Sequence, residues 1–188
     1  MRIIYLMLAT FLCVILSACV PVVVGGAATG GLVASDRRTS GAYVEDESIE
    51  WKTNSRIKEA LGAKIHLNAT SYNRNVLLTG EALDEAAKAR AETLARGVEN
   101  VRQVTNEIRI GGISTLTDRT NDGFLTAKVK SLFLKENRFP ANQVKVVTES
   151  SAVYLLGIVT HKEAEDATEI ARNTEGVSKV VKVFEYIE

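Results

Sequence analysis

Apolar and polar residues alternate from Lys64 to Thr70, where His66 and Asn68 separate Ile65, Leu67 and Ala69. A period of two predicts a strand with one buried face. Asn73-Arg74-Asn75 reads as a turn, and Val76 to Glu81 returns antiparallel with apolar residues in succession, so both of its faces are partly covered. Upstream, Ile49, Thr53, Ile57 and Leu61 form a buried stripe, predicting a helix from about Ser48 to Leu61 that ends at Gly62, with Trp51 to one side. Downstream, Asp84 can cap a second helix running to about Val98, and Ala87, Ala91, Leu94 and Ala95 let one face lie close to a sheet. Asn100, a residue able to adopt a left-handed backbone, leads into a last strand from Val101 to Ile110.

The same pattern then repeats. Val153-Tyr-Leu-Leu-Gly157 matches Val76-Leu-Leu-Thr-Gly80, and Ala167-Thr-Glu-Ile-Ala-Arg172 matches Ala91-Glu-Thr-Leu-Ala-Arg96. Asn121 or Asp122 is the expected cap of a helix running to about Asn137, and Val144 and Val146 lie on one face of the next strand. Thr160 to Glu163 has capping-box spacing, and Gly176 stands where the first copy has Asn100, ahead of a strand from Val177 to Ile187. The predicted fold class is α+β: two tandem α-β-β-α-β modules, each a three-stranded mixed sheet with two helices packed on it. The predicted bounds are 46–110 and 121–188, with a linker over 111–120.

The amino terminus stands apart. Arg2 is followed by an apolar run from Ile3 to Leu16, too short for an ordinary spanning helix, so residues 1–18 read as a signal peptide. Leu16-Ser-Ala-Cys19 resembles a bacterial lipobox, which makes Cys19 the lipid-attachment residue. Val20 in place of an aspartate implies outer-membrane sorting by the same resemblance, with the body in the periplasm. Residues 19–45 are expected to be a glycine-interrupted tether, in which Arg37-Arg38 is either solvated or against headgroups. Cys13 leaves with the signal, so the mature body has no cysteine for a disulfide, a nucleophile or a metal.

The 23 basic and 23 acidic residues balance, which gives no sign of a nucleic-acid partner. His66 and His161 fall in different modules without a nearby carboxylate spacing, so no metal site is expected; His66 reads as an outward strand residue and His161 as a first-turn surface residue. No serine has a nucleophile-elbow context and the early glycines lack phosphate-loop spacing, so the sequence predicts no enzyme, no cofactor and no small-molecule substrate. Glu163, Glu165 and Asp166 beside Lys162 read as a solvated helix face.

With its closing glycines Gly80 and Gly157, its alanine-rich second helices and Gly176-Val-x-x-Val180, the chain resembles the tandem BON-domain family over about Asp46 to Glu188. Asn100 departs from the family's glycine. Joined to the lipobox, the pair resembles the family's outer-membrane lipoproteins. That resemblance implies anionic phospholipid as partner, mainly through the second module, and a part in outer-membrane integrity and division-linked envelope maintenance.

The first helix of module two carries a candidate surface. Leu125, Val129 and Leu132, with Phe133 on the flank, can face the sheet, while Phe124, Lys128, Ser131 and Lys135 share another face with Lys130 and Leu134 alongside. An aromatic ring followed by lysines suits a headgroup region. Module one has Ser48 and Glu59 where module two has Phe124 and Lys135. The alternative is a Phe124 buried in the core or between modules. Trp51 is either an anchor for an envelope protein partner or a partly buried core residue, and an adaptor role is the competing function.

Overall fold

The computed structural model describes residues 36–188, so the expectations for residues 1–18, Cys19 and the first part of the tether lie outside it. Module one runs α1 (Ser40–Leu61), β1 (Ile65–Tyr72), β2 (Asn75–Ala82), α2 (Glu85–Arg96), β3 (Gln103–Asn106) and β4 (Arg109–Ile110). β1 pairs antiparallel with β2, and β3 and β4 pair parallel with β2. Module two runs α3 (Leu116–Glu136), β5 (Val144–Glu149), β6 (Ala152–Thr160), α4 (His161–Arg172) and β7 (Lys179–Ile187). Here β5 and β6 are antiparallel and β7 joins β6 in parallel. Each module is the predicted α-β-β-α-β unit with a mixed sheet.

Both first helices begin earlier than their apolar stripes. Thr39 caps α1 by accepting from the Ala42 N–H, so helix occupies residues expected to be tether. Thr115 and Asp118 form a capping box for α3, so the helix takes up the end of the expected linker, and neither Asn121 nor Asp122 is its cap. The added turns carry exposed residues, among them Tyr43, Val44 and Leu116, and therefore leave no buried periodicity to read. The single strand expected over Val101 to Ile110 is broken instead. Asn106 Oδ1 accepts from the Ile108 N–H at 3.2 Å, and Ile108 is buried between the two short strands.

Asp122 and its counterpart Asp46 do a different job. Asn73 and Arg74 form the β1–β2 turn with positive φ, as do Ser150 and Ser151 between β5 and β6. Such turns point two N–H groups inward that no strand partner reaches. Asp46 accepts from the Asn73 and Arg74 N–H groups at 2.8 and 2.7 Å, and Asp122 from Ser150 and Ser151 at 2.7 and 2.8 Å. Asp46 also accepts from the Ser71 hydroxyl at 2.7 Å and from Arg38 at 2.9 Å. Arg38 is thus bonded into the fold, and Arg37 donates to Glu163 and to the Ile158 carbonyl, so neither arginine is a solvated linker residue.

Gly80 and Gly157 have steric causes. A Cβ on Gly80 would lie 2.1 Å from the His66 carbonyl oxygen, and one on Gly157 2.4 Å from that of Gln143, so the hairpins pair here only because both residues are glycine.

The succession of apolar residues in β2 and β6 is explained by two packed faces. Val76 and Leu78 face the helices of module one, and Val153 and Leu155 those of module two. The residues between them, Leu77, Tyr154 and Leu156, meet Tyr72 in a third cluster that also takes in Val147, Val181 and Val183. The sheets therefore pack face to face with helices outside, giving four layers. Lys145 to Glu50 at 2.7 Å and Asn73 to Glu185 at 2.8 Å tie the rim of this seam.

Candidate functional site

α3 turns Leu125, Val129 and Phe133 inward onto its sheet. Phe133 is a core residue, packed edge-on to Phe139 with ring centroids 5.0 Å apart, while Leu132 is only half-buried, the reverse of the expected arrangement. The opposite face is open. Phe124 and Leu134 are each 71% exposed, and Lys128, Lys130, Ser131 and Lys135 surround them, all exposed. Phe124 is sealed neither beneath the sheet nor against module one.

The lysines are not equivalent. Lys128 Nζ lies 3.2 Å from the Glu175 carboxylate and 3.1 Å from the Glu175 carbonyl oxygen, so part of its charge is engaged. Lys130 and Lys135 have no ion-pair partner among the described residues. The Ser131 hydroxyl donates back to the Lys128 carbonyl at 2.7 Å and is committed to the helix. Beside this face a groove of about 460 Å³ runs between the start of α1 and α3, lined by Tyr43, Tyr72, Lys130, Leu134 and Val144 among others. Sequence reasoning missed this groove because Tyr43 was assigned to the tether. Trp51, also 71% exposed, stands on the outer face of α1 and is no core residue.

The BON domain profile matches the chain twice, over residues 46–112 and 121–188. The chain belongs to the BON-domain family. It is 38% identical over 177 residues to the outer membrane lipoprotein DolP of Haemophilus influenzae, covering 93% of this chain and 92% of that protein. A 21 kDa hemolysin of Actinobacillus pleuropneumoniae is 37% identical over 155 residues, covering 81% of this chain and 80% of its own length. The osmotically-inducible protein Y of Escherichia coli is 26% identical over 159 residues, 80% of this chain and 77% of that protein. The pair is closely related to DolP-type outer-membrane lipoproteins.

Among the described residues no serine is bonded to a histidine base, and His161 stacks on Tyr186 with ring centroids 4.5 Å apart. The acidic start of α4 is less solvated than its sequence suggests. Glu163 accepts two bonds from Arg37 at 2.7 and 2.8 Å, which hold its carboxyl down to about 2. Asp166 is buried and bonded to Arg138 and Lys162, leaving Glu165 as the exposed member of the three.

His66 also differs from expectation. It faces the seam with its Nδ1 3.2 Å from Glu81. Burial raises the Glu81 pKa, but its bonds to Ser114, Arg109 and His66 outweigh that and hold it below the usual value. Glu149, across the seam on β5, is pushed up to about 7 by burial and by the charges of Glu81 and Asp122.

Proposed function

We propose that this protein is a lipid-anchored outer-membrane protein on the periplasmic side, attached through Cys19, whose second BON domain binds anionic phospholipid through Phe124, Lys130, Leu134 and Lys135, assisted by Lys128 and Ser131. The observation that carries this reading is the 71% exposure of Phe124 at the head of a lysine-bearing face. A ring inserted among headgroups contributes roughly 1.5–3 kcal/mol if fully buried. Each lysine near an anionic surface adds about 1 kcal/mol. Such a face is a weak binder, and an anchor upstream raises its effective concentration enough for that to suffice. A role in envelope integrity, including division-linked maintenance, accords with the kinship to DolP.

The test uses residues 36–188, which contain all three apolar clusters. Flotation with anionic vesicles at low salt should carry this body upward, and zwitterionic vesicles should not. Phe124→Glu should abolish the difference. No binding to anionic vesicles ends the lipid reading, and binding indifferent to Phe124→Glu moves the site off α3.

An adaptor function has its own observation. Trp51 is exposed on α1 of the first BON domain, and exposed tryptophans are typical anchors of protein interfaces. Trp51→Ala should abolish pull-down of an envelope protein partner while leaving vesicle flotation intact.

A further inference from the structure

Three side chains that lipid binding does not use converge at one end of the seam. His66 of β1, Glu81 of β2 and Glu149 of β5 bring a ring nitrogen and two carboxylate oxygens within 4.8 Å of one another. His66 Nδ1 and Glu81 Oε2 are 3.2 Å apart, longer than the roughly 2.7–2.9 Å of a charge-assisted hydrogen bond. Two donors bound to one tetrahedral zinc at about 2.0–2.2 Å each stand roughly 3.4 Å from one another. The pair is already at ligand spacing, and Glu149 needs a shift of roughly 1 Å to complete it.

Glu149 supplies an independent reason to look for a cation. It is 7% exposed and has no ion-pair partner among the described residues. The charges of Glu81 and Asp122 act on its carboxylate and Arg119 offsets them only in part. A buried carboxylate in that position is costly unless it is paired or bound to a metal. A cavity of about 480 Å³ reaches both His66 and Glu149, with Asp122 and Arg119 among its walls, and gives an ion a way in. On the far side, Arg109 and the Ser150 hydroxyl hold Glu81 Oε1 at 3.4 and 3.3 Å, while the Ser114 N–H steadies Oε2 at 3.2 Å. These contacts orient the carboxylate without closing the side that faces His66.

We propose that His66, Glu81 and Glu149 form a binding site for a divalent transition metal of the zinc class, bridging the two BON domains with two ligands from the first and one from the second. One imidazole with two carboxylates suits zinc better than magnesium or calcium, which take oxygen ligands. The cavity provides the fourth position for water. A bound ion cross-links the sheets and stabilises the folded pair by mass action. Because the ligands must be deprotonated, acid weakens the site.

The test uses the full chain in a zwitterionic detergent, stripped with a chelator and titrated with zinc chloride by calorimetry and with cobalt(II) by visible absorption. One ion per chain is expected, with a rise in Tm that the chelator reverses. His66→Gln and Glu149→Gln should each weaken binding at least tenfold, and His161→Gln, which removes the other histidine, should not. Glu149→Gln keeps the side chain's shape and removes a buried charge, so the variant folds and its loss of binding reads the ligand itself. Failure of the native chain to bind zinc, equal binding by both ligand variants, or loss of binding in His161→Gln overturns the site.

Discussion

The two BON domains keep the same inner machinery and differ on their outer helices. Asp46 and Asp122 hold the same hairpin turn from the same place in their helices, and Gly80 and Gly157 admit the same close strand approach. Outside, α3 presents Phe124 and unpaired lysines where α1 presents Ser48 and Glu59. A duplicated fold is thus held constant by a few buried polar and glycine positions, while the face opposite the sheet is free to acquire a ligand.

The largest effect should come from removing the shared turn anchor. Asp46→Ala strands two N–H groups and the Ser71 hydroxyl and takes from Arg38 one of its two carboxylate partners, and should cost about 3–5 kcal/mol in urea unfolding. Asp122→Ala strands the two turn N–H groups and should cost about 2–3 kcal/mol. Equal losses would show that the bonds from Arg38 and Ser71 add nothing to the first domain.

Next come the facing carboxylates of the seam, which shift in opposite directions. Glu149 has a folded value of about 7, above its ordinary 4.5, so its contribution to stability is full below pH 4.5 and is lost as pH rises through 7. In the presence of a chelator, the native protein should therefore be less stable at pH 8 than at pH 5. Glu149→Gln should remove that loss and add on the order of 2–3 kcal/mol at pH 8. Glu81, held low, contributes stability above its ordinary value that is lost in acid as pH falls through its folded value, so Glu81→Gln should be destabilising at pH 8.

Smaller effects separate the outer faces. Phe124→Glu should weaken binding to anionic vesicles at least tenfold, since one inserted ring is worth roughly 1.5–3 kcal/mol, and Ser48→Glu should leave it unchanged. The least change belongs to the engaged lysine. Lys135→Ala should cost roughly fivefold, equivalent to about 1 kcal/mol, and Lys128→Ala less, because Glu175 already holds part of its charge.

Periodicity and repetition make the α-β-β-α-β order legible, because both copies bury one stripe per helix and keep the same strand pattern, with the second strand covered on both faces. Helix starts are not legible this way, because Tyr43, Val44 and Leu116 are exposed apolar residues that mark no buried face. The break after Asn106 depends on one side chain bonding its own backbone. Phe124 as a surface residue could be inferred from the contrast with Ser48. The cluster of His66, Glu81 and Glu149 could not, because Glu149 joins the paired His66 and Glu81 only when the second sheet closes on the first. The matched aspartates at 46 and 122 are a readable signal of a shared role, although an acidic residue near a helix start also suggests a cap.

Arg37 reaches from the first turn of the described chain to the far domain, gripping Glu163 and the Ile158 carbonyl, while its neighbour Arg38 grips Asp46 of the near one. Tension drawn through the amino terminus therefore divides between both halves at the point of entry.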